Sequence, residues 1–330
     1  MEYEIKDCID AGSEYCPCHL AETGDCILCS QLSGKKFCDC INWKGVCIYQ
    51  EFMWNGKKAK EERETYLGKI LEKNNIEDKT IVLTIALSHK LCQQLVYPGS
   101  FVFLRNKDDF GFYDAPISIM DANTEENFIK VAIEIRGGVK TKTIADLNEN
   151  DDILVRGPFW NGGVLGLKNV YRAKNGTSIL ISRGGIGQAP LVPVMKKLNS
   201  NGNKIIAIID NSGYENILIK DYLRLYNAEV IELNTLKAGE LTEDLKNKLK
   251  EILAKEDINI IHCSSQDIII YKLVEFLNDK VPISSSNNAK MCCGEGVCGT
   301  CTVRYKGHIV KRLCKVQTEP KYVFRERRLI

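Results

Sequence analysis

Thirteen of the fifteen cysteines in this 330-residue chain lie near its two ends, eight from Cys8 to Cys47 and five from Cys292 to Cys314. Only Cys92 and Cys263 fall between them. In a small secreted domain, so much cysteine would read as a disulfide framework. This chain is long enough to bury a large core, and its start, Met1 to Asp10, is acidic and poor in apolar residues. No signal peptide is read there, so the cysteines point to metal ligation or redox chemistry in a cytoplasmic protein. The expectation is two metal-stapled ends around an ordinary globular body.

At the C-terminal end the ligand pattern is specific. Cys293, Cys298, Cys301 and Cys314 follow C-x4-C-x2-C-x12-C, with Gly294, Gly296 and Gly299 between the first three. Three thiolates on one short loop and a fourth from a neighbouring segment suit a [2Fe–2S] cluster. Glycine can take the positive φ such a curl demands, where a Cβ would clash. Zinc sites more often show two matched C-x2-C pairs, or Cys pairs with His, and the 4-then-2 spacing fits them poorly. Cys292 is outside the four and is expected to be a packed thiol.

The N-terminal end is less decisive. Cys16, Cys18, Cys26, Cys29, Cys38, Cys40 and Cys47 are candidate ligands, with Cys8 and His19 nearby, in a segment with little periodicity. Thiolate–metal bonds can supply the folding free energy that such a segment lacks. One centre with spare thiols or two centres both fit, as does either iron–sulfur or zinc.

The body is read from its rhythm. Lys57 to Asn75 is charged, with Tyr66, Leu67, Ile70 and Leu71 spaced as one stripe of an amphipathic helix. From Lys79 short β-rich runs alternate with turns: Thr80–Leu87, Ser100–Leu104, Ile117–Met120, Phe128–Ile135 and Asp152–Arg156. They predict an antiparallel barrel or sandwich. From Thr177 strands and helices alternate: strands at Ser178–Ser182, Lys204–Asp210, Glu229–Leu233 and Asn259–Cys263, helices at Leu191–Asn199, Asn216–Tyr226, Thr242–Lys255 and Ile268–Leu277. Repeated βα units predict a parallel sheet with helices on both faces. The fold class is therefore mixed β and α/β, in five parts. These are a Cys-rich module (1–60), a linker helix (61–78), a β-barrel (79–172), an α/β domain (173–286) and a small cluster domain (287–330).

A net charge of +2 gives no ground for nucleic-acid or anionic-membrane binding, and no run of eighteen apolar residues occurs. The turn Gly184-Gly185-Ile186-Gly187 lies between the first α/β strand and a helix. Its unhindered backbone can receive a phosphate there, although a plain βα turn has the same composition.

Barrel, glycine turn and C-terminal cysteine loop, in this order, resemble the ferredoxin–NADP reductase superfamily. Within it they are similar to the electron-transfer subunits of class B dihydroorotate dehydrogenase and the small subunits of NADH-dependent ferredoxin–NADP oxidoreductases. The matching pieces are Pro116-Ile117-Ser118, Lys140-Thr141, Gly157-Pro158-Phe159 with Asn161-Gly162, Gly184 to Leu191, and Met291 to Cys301. Residues 1–60 lie outside the resemblance.

The resemblance implies FAD on the barrel, held by Ala115, Pro116, Ile117 and Ser118, by Ile133, Glu134 and Ile135, and by Lys140 and Thr141. Ala115 stands where the family has Arg, and Arg105 or Arg136 would have to substitute for it. It also implies NAD(P)H on the α/β domain. Gly184, Gly185, Gly187 and Pro190 would lie by the phosphates, and Cys263 by the nicotinamide. Asp210, ending the second strand, could accept from a ribose 2′-OH, which favours NADH over NADPH; it could equally be a capping residue. Pro116 and Ser118 could be ordinary strand punctuation, and Cys263 a buried thiol.

The function read from all of this is an NAD(P)H-dependent FAD/iron–sulfur oxidoreductase, an electron-transfer subunit with no acid–base catalytic residues. A catalytic redox subunit or a ferredoxin would be its partner in a hetero-oligomer. A freestanding ferredoxin–NAD(P) or oxygenase-type reductase is one rival reading. A metal-stapled regulatory subunit with a decayed flavin site is the other.

Overall fold

The computed structural model describes residues 7–8, 10–39, 43–160, 162–304 and 310–325. Six strands close a barrel: β1 (Thr65–Ile76), β2 (Thr80–Ala86), β3 (Phe101–Asn106), β4 (Ala115–Asn123), β5 (Phe128–Glu134) and β6 (Asp152–Phe159). Their order around it is β1-β2-β5-β4-β3-β6, every pair is antiparallel, and β6 pairs back onto β1. Alternation sets the two faces. On β4, Ala115, Ile117 and Ile119 join the barrel core, whereas Pro116 is exposed and Ser118 half-buried on the outer wall. On β5, Ile129, Val131 and Ile133 point inward and Ala132 outward.

The expected linker helix is instead β1. Its Tyr66, Leu67, Ile70 and Leu71 satisfy a helical stripe on paper, but Leu67 is 63% and Leu71 49% exposed. Gly68 and Ile70 point into the barrel at a spacing of two, and a Cβ on Gly68 would come within 2.8 Å of Ile85. Pairing along β2 and β6 outweighs the local pattern.

Beyond the barrel come β7 (Val164–Leu165), β8 (Thr177–Arg183), β9 (Lys204–Asp210) and β10 (Glu229–Glu232). A small hairpin of β11 (Leu236–Lys237) and β12 (Glu240–Leu241) follows, then β13 (Ile258–Ser264) and β14 (Ile283–Ser286). The sheet order is β10-β9-β8-β13-β14-β7, parallel except for β7. Both faces are buried along β8, β9 and β13, as their near-continuous apolar runs require, while the edge strand β10 is largely exposed. Ile179, Ile181, Ile206, Ile208 and Ile261 pack on one side, and Leu180, Ile205, Ala207, Ile209 and Ile260 on the other. Helices Leu191–Ser200, Glu243–Lys255 and Asp267–Leu277 lie where the pattern placed them. The helix expected over Asn216–Tyr226 forms only at Lys220–Leu225. No helix among the described residues is long and apolar enough to cross a membrane.

A last hairpin, β15 (Thr302–Arg304) and β16 (Val310–Arg312), follows the cysteine loop. The N-terminal segment holds short helices at His19–Glu22 and Ile48–Trp54 and closes onto this C-terminal end. Asp7 and Gln317 exchange backbone hydrogen bonds of 2.8 and 2.6 Å. Arg63 and Lys315 lie buried between Asp10 and Glu295. Arg63 reaches Asp10 at 2.7 Å and Glu295 at 2.8 Å, and Lys315 reaches the same pair at 2.7 and 3.0 Å.

Candidate functional site

In a parallel sheet, the loops after the strands' carboxyl ends leave a crevice where the strand order reverses. Here the reversal lies between β8, whose other neighbour is β9, and β13. A cavity of about 640 Å³ opens there, against the outer wall of β4 and β5. From the barrel it is lined by Pro116, Ile117, Ser118, Ile133, Glu134 and Thr141. From the α/β side the glycine turn, Ser264 and Ser265 line it.

The glycine turn is sterically required. Gly184 has φ 71°, which disfavours a side chain. A Cβ on Gly185 would lie 2.5 Å from the Tyr214 ring, and one on Gly187 would lie 2.8 Å from the Ser264 carbonyl oxygen. Gly187 thus lets the turn after β8 close against the end of β13. The Ser265 hydroxyl is buried beside the cavity without a hydrogen-bond partner, a polar atom that a bound ligand would satisfy. Cradle, orphaned hydroxyl and an apolar-to-polar lining fit a flavin and a dinucleotide.

Several expected residues are not at the cavity. Ala115 and Ile135 pack toward the barrel core, and Lys140 turns away to donate to the Asp114 carbonyl at 2.9 Å. Of the two candidates to replace the family's Arg, Arg136 lines the cavity and pairs with Glu134 at 2.6 Å. Arg105 is tied to Asp114 at 2.9 Å. Asp210 is buried beneath the site. It accepts from Thr235 N–H and Oγ1, both at 2.7 Å, from Ser212, and from Arg183 at 3.1 Å. Burial alone would raise its pKa, but the Ser212 and Thr235 hydrogen bonds outweigh that and hold it below the usual value. With its oxygens engaged it does not face a ribose, and the sequence ground for NADH over NADPH falls away. Cys263 is also corrected: it points into the core with Ile261 and Ile269, and burial pushes its thiol up. Ser264 and Ser265, the next two residues, line the cavity instead. Arg183, Ser212, Tyr214, Asn287 and Asn288 also line it and carried no signal in sequence, since each depends on where its loop is placed.

Asn287 and Asn288 lead from the cavity into the cysteine loop. Gly294, Gly296 and Gly299 have φ of 74°, 79° and 73°, as the curl requires. Backbone N–H groups aim at sulfur: Glu295 and Cys298 donate to Cys293 Sγ at 3.3 and 3.5 Å, and Cys314 donates to Cys301 Sγ at 3.4 Å. The neighbouring Cys314 thiol holds the Cys293 and Cys301 thiols below their usual range. Amide donors aimed at Cys293 and Cys301, with the Cys301 and Cys314 thiols buried, suit thiolate-bound metal. Among the described residues no three His, Cys, Asp or Glu side chains converge as a single metal ion requires. Cys292, expected to be packed, is exposed, as is Cys298. The loop is seated on the barrel through Arg156, which donates to the Cys293 carbonyl at 3.1 Å and to Asp114 at 2.9 Å.

At the N-terminal end, Cys16, Cys18, Cys26, Cys29 and Cys47 are partly buried and Cys38 is exposed. Cys16, Cys18 and Cys26 line one void with Cys8, and Cys29, Cys38 and Cys47 another. Cys40 lies outside the described residues, as does Asn161.

No family model matches the chain. Among curated proteins, a probable dihydroorotate dehydrogenase B (NAD(+)) electron transfer subunit from Methanocaldococcus jannaschii is 30% identical over 220 residues, covering 64% of this chain and 74% of the relative. The corresponding subunit from Clostridium acetobutylicum is 29% identical over 262 residues, covering 77% and 94%. Sulfhydrogenase 2 subunit gamma from Pyrococcus furiosus is 26% identical over 278 residues, covering 76% and 92%. Among solved structures, an NADH-dependent reduced ferredoxin–NADP oxidoreductase superposes with a TM-score of 0.62 at 21% identity. It covers 80% of this chain and 93% of its own, a likeness of fold.

Proposed function

The chain belongs to the family of dihydroorotate dehydrogenase B electron-transfer subunits, within the ferredoxin–NADP reductase superfamily, and is an electron-transfer flavoprotein subunit; we propose how its residues divide that work. Pro116, Ser118, Glu134 and Thr141 would hold FAD against the barrel, with Arg136 taking the place of the family's arginine. Gly184, Gly185 and Gly187 would receive the phosphates of NAD(P)H. Cys293, Cys298, Cys301 and Cys314 would hold a [2Fe–2S] cluster. The chemistry these groups supply when bound is the exchange of electron pairs for single electrons.

The chain's own residues supply position. The glycine turn keeps side chains out of the crevice. The Arg156–Asp114 pair and its bond to the Cys293 carbonyl fix the cysteine loop to the barrel. The amides of Glu295 and Cys298 favour Cys293 as thiolate. The observation that carries the reading is a pair of cavities that share Asp267, Asn287 and Asn288, one running from β4 and β5 to the glycine turn and the other reaching Thr300 and Cys301 of the cysteine loop.

Exposed Cys298, and Val297 at 45% exposure, support transfer to or from a separate protein at this loop. The partner would be a catalytic redox subunit or a ferredoxin. Relatives named as subunits of a dihydroorotate dehydrogenase and of a sulfhydrogenase share this body, so the body alone does not choose the acceptor. The N-terminal cysteines are read as a metal-stapled module against the same end of the molecule.

The test is anaerobic purification of the full chain with flavin, iron, zinc and sulfide quantified, followed by NAD(P)H titration. Expected are about one FAD, at least about two irons with matching sulfide, and flavin bleaching on titration. Protein without flavin, or with zinc as its only metal, overturns the reading.

A further inference from the structure

The cysteine loop from Cys293 to Cys301 has two sides. Val297 and Cys298 are exposed on one. On the other, the loop meets the N-terminal segment and the barrel through charge that water does not reach. Asp10 comes from the N-terminal segment, Arg63 from the stretch just before β1, Glu295 from the loop itself, and Lys315 from the position after Cys314. All four side chains are at most 8% exposed, and each cation touches both carboxylates at 2.7 to 3.0 Å.

Packing fixes the four in place. The Arg63 guanidinium lies against the Tyr15 ring at 4.2 Å and the Phe159 ring at 4.5 Å, and it donates to the Pro158 carbonyl. The stem of Lys315 runs along the loop at Gly296, where a Cβ would meet Lys315 Cγ at 3.3 Å and Leu20 Cγ at 3.1 Å. Gly294 rests on the Phe159 ring with no room for a side chain. An apolar set of similar volume would anchor the loop as firmly, without the cost of taking four charges out of water. Ion pairs buried at that cost, beside a redox site, call for a role that apolar side chains could not fill.

Their position supplies one. Glu295 gives its amide to Cys293 Sγ at 3.3 Å while its carboxylate takes Arg63 and Lys315. Lys315 follows Cys314 directly. The charges therefore lie within a side chain's reach of two of the four thiols, on the order of 10 Å. At an effective dielectric constant of about 20, a unit charge at that range shifts a one-electron equilibrium roughly tenfold. Salt screens exposed charges at such a distance and buried ones much less. Reducing an iron–sulfur cluster adds one negative charge, and the charge around a cluster is one of the factors that set its potential. Arg63, Lys315 and Glu295 by themselves carry one net positive charge; Asp10 makes the set neutral.

We propose that the N-terminal segment is part of the C-terminal cluster site: its Asp10 neutralises the Arg63–Lys315–Glu295 set and so lowers the reduction potential of the cluster held by the loop. Asp10 is a positioning residue, acting through Lys315 and Arg63. Residues 1–60 lie outside the family resemblance, so this is a charge that the resemblance does not supply. The proposal deepens the electron-transfer reading and rests on it for the presence of the cluster.

The experiment is a potentiometric titration followed by EPR on the full-length chain, purified anaerobically. It compares wild type, Asp10→Asn, Lys315→Met, and Lys315→Met combined with Glu295→Gln; Cys298→Ala identifies the signal that belongs to the loop. At the wild-type midpoint potential, Asp10→Asn is expected to raise the reduced-to-oxidised ratio of the loop cluster roughly tenfold and Lys315→Met to lower it roughly tenfold. The neutral double variant is expected to return to within about threefold of wild type, with iron, flavin and g values unchanged throughout. Loosened packing would instead move both single variants the same way or alter their g values, and either result overturns the proposal. So does a midpoint that Asp10→Asn leaves in place: the electron-transfer reading then stands and this proposal fails. Should Asp10→Asn not accumulate, Glu295→Gln removes the same charge from the loop side, and no rise in its reduced-to-oxidised ratio overturns the proposal. If wild type shows no iron–sulfur signal, or Cys298→Ala loses none, the earlier reading fails and this proposal falls with it.

Discussion

Replacing Lys315 by Met removes one of two cations from a closed set of four buried charges. Arg63 and Lys315 face Asp10 and Glu295 with contacts of 2.7 to 3.0 Å, and all four side chains are at most 8% exposed. The wild-type set is neutral; without Lys315 it carries one uncompensated negative charge away from water. Taking one partner from a buried pair costs about 3–5 kcal/mol, because the charge left behind keeps its desolvation penalty. At about 2.1 cal/mol/K per residue over the whole chain, that is a drop of roughly 4–7 °C in Tm. A second change, Glu295→Gln, restores neutrality with Arg63 and Asp10 still paired. The double variant is therefore expected to recover about 1–3 kcal/mol relative to Lys315→Met. The assay is urea unfolding of the anaerobically purified chain followed by far-UV circular dichroism, with iron content checked in each variant. A loss below about 1 kcal/mol in Lys315→Met, or no recovery in the double variant, would refute the reasoning that burial makes this network matter.

Further outcomes follow from the cavity and the sheet. Gly187→Ala places a Cβ 2.8 Å from the Ser264 carbonyl. Overpacking of about 1–3 kcal/mol should weaken NAD(P)H binding roughly tenfold with flavin content unchanged; stopped-flow flavin reduction reads this, and a change under twofold counts against the turn's role. Ser118→Ala should weaken FAD retention roughly 2- to 12-fold, the worth of one hydrogen bond, as measured by flavin released on dilution; full retention would remove Ser118 from the flavin site. His262 is buried in the sheet, with Nδ1 2.8 Å from Ser284 Oγ, and burial holds its pKa down to about 3. The unfolded chain takes up this proton near pH 6.5 and the fold does not until about pH 3. Stability from this group is therefore full above pH 6.5 and falls by up to about 1.4 kcal/mol per unit as the pH drops through that window. His262→Asn should flatten that limb of a stability–pH profile, and an unchanged slope would show that His262 does not set it.

What could be read from the sequence was what local chemistry alone dictates. The parallel strands announce themselves as apolar runs because both faces are buried, and Lys204–Asp210 was placed to the residue. The curl of the cysteine loop was legible because its three glycines have no other reason to be spaced that way. Failures came where a neighbour in space decides. Tyr66 to Leu71 makes a good helical stripe, and only the unseen β2 and β6 make it a strand. Asp210 ends its strand where a ribose ligand belongs, yet Thr235, twenty-five residues on, claims its carboxylate. At the end of β13 the alternation of a strand decides between Cys263 and its neighbours, turning the thiol into the core and leaving Ser264 and Ser265 at the cavity. The short β14, Ile283-Ser-Ser-Ser286, has too little apolar pattern to stand out, although it pairs in register with β13.

The ion pair between Asp10 and Lys315 joins residues 305 positions apart. It therefore sets an order of manufacture. At about 5–20 residues per second, the N-terminal thiols leave the ribosome roughly 15–60 s before the segment that covers them exists. Through that interval Cys8 to Cys26 can fold only locally, open to whatever metal donors or oxidants the surroundings contain. Synthesis of residues 315–317 then brings Lys315 and Gln317 to Asp10 and Asp7. A chain cut short before Lys315 would keep every N-terminal cysteine and lose the cover.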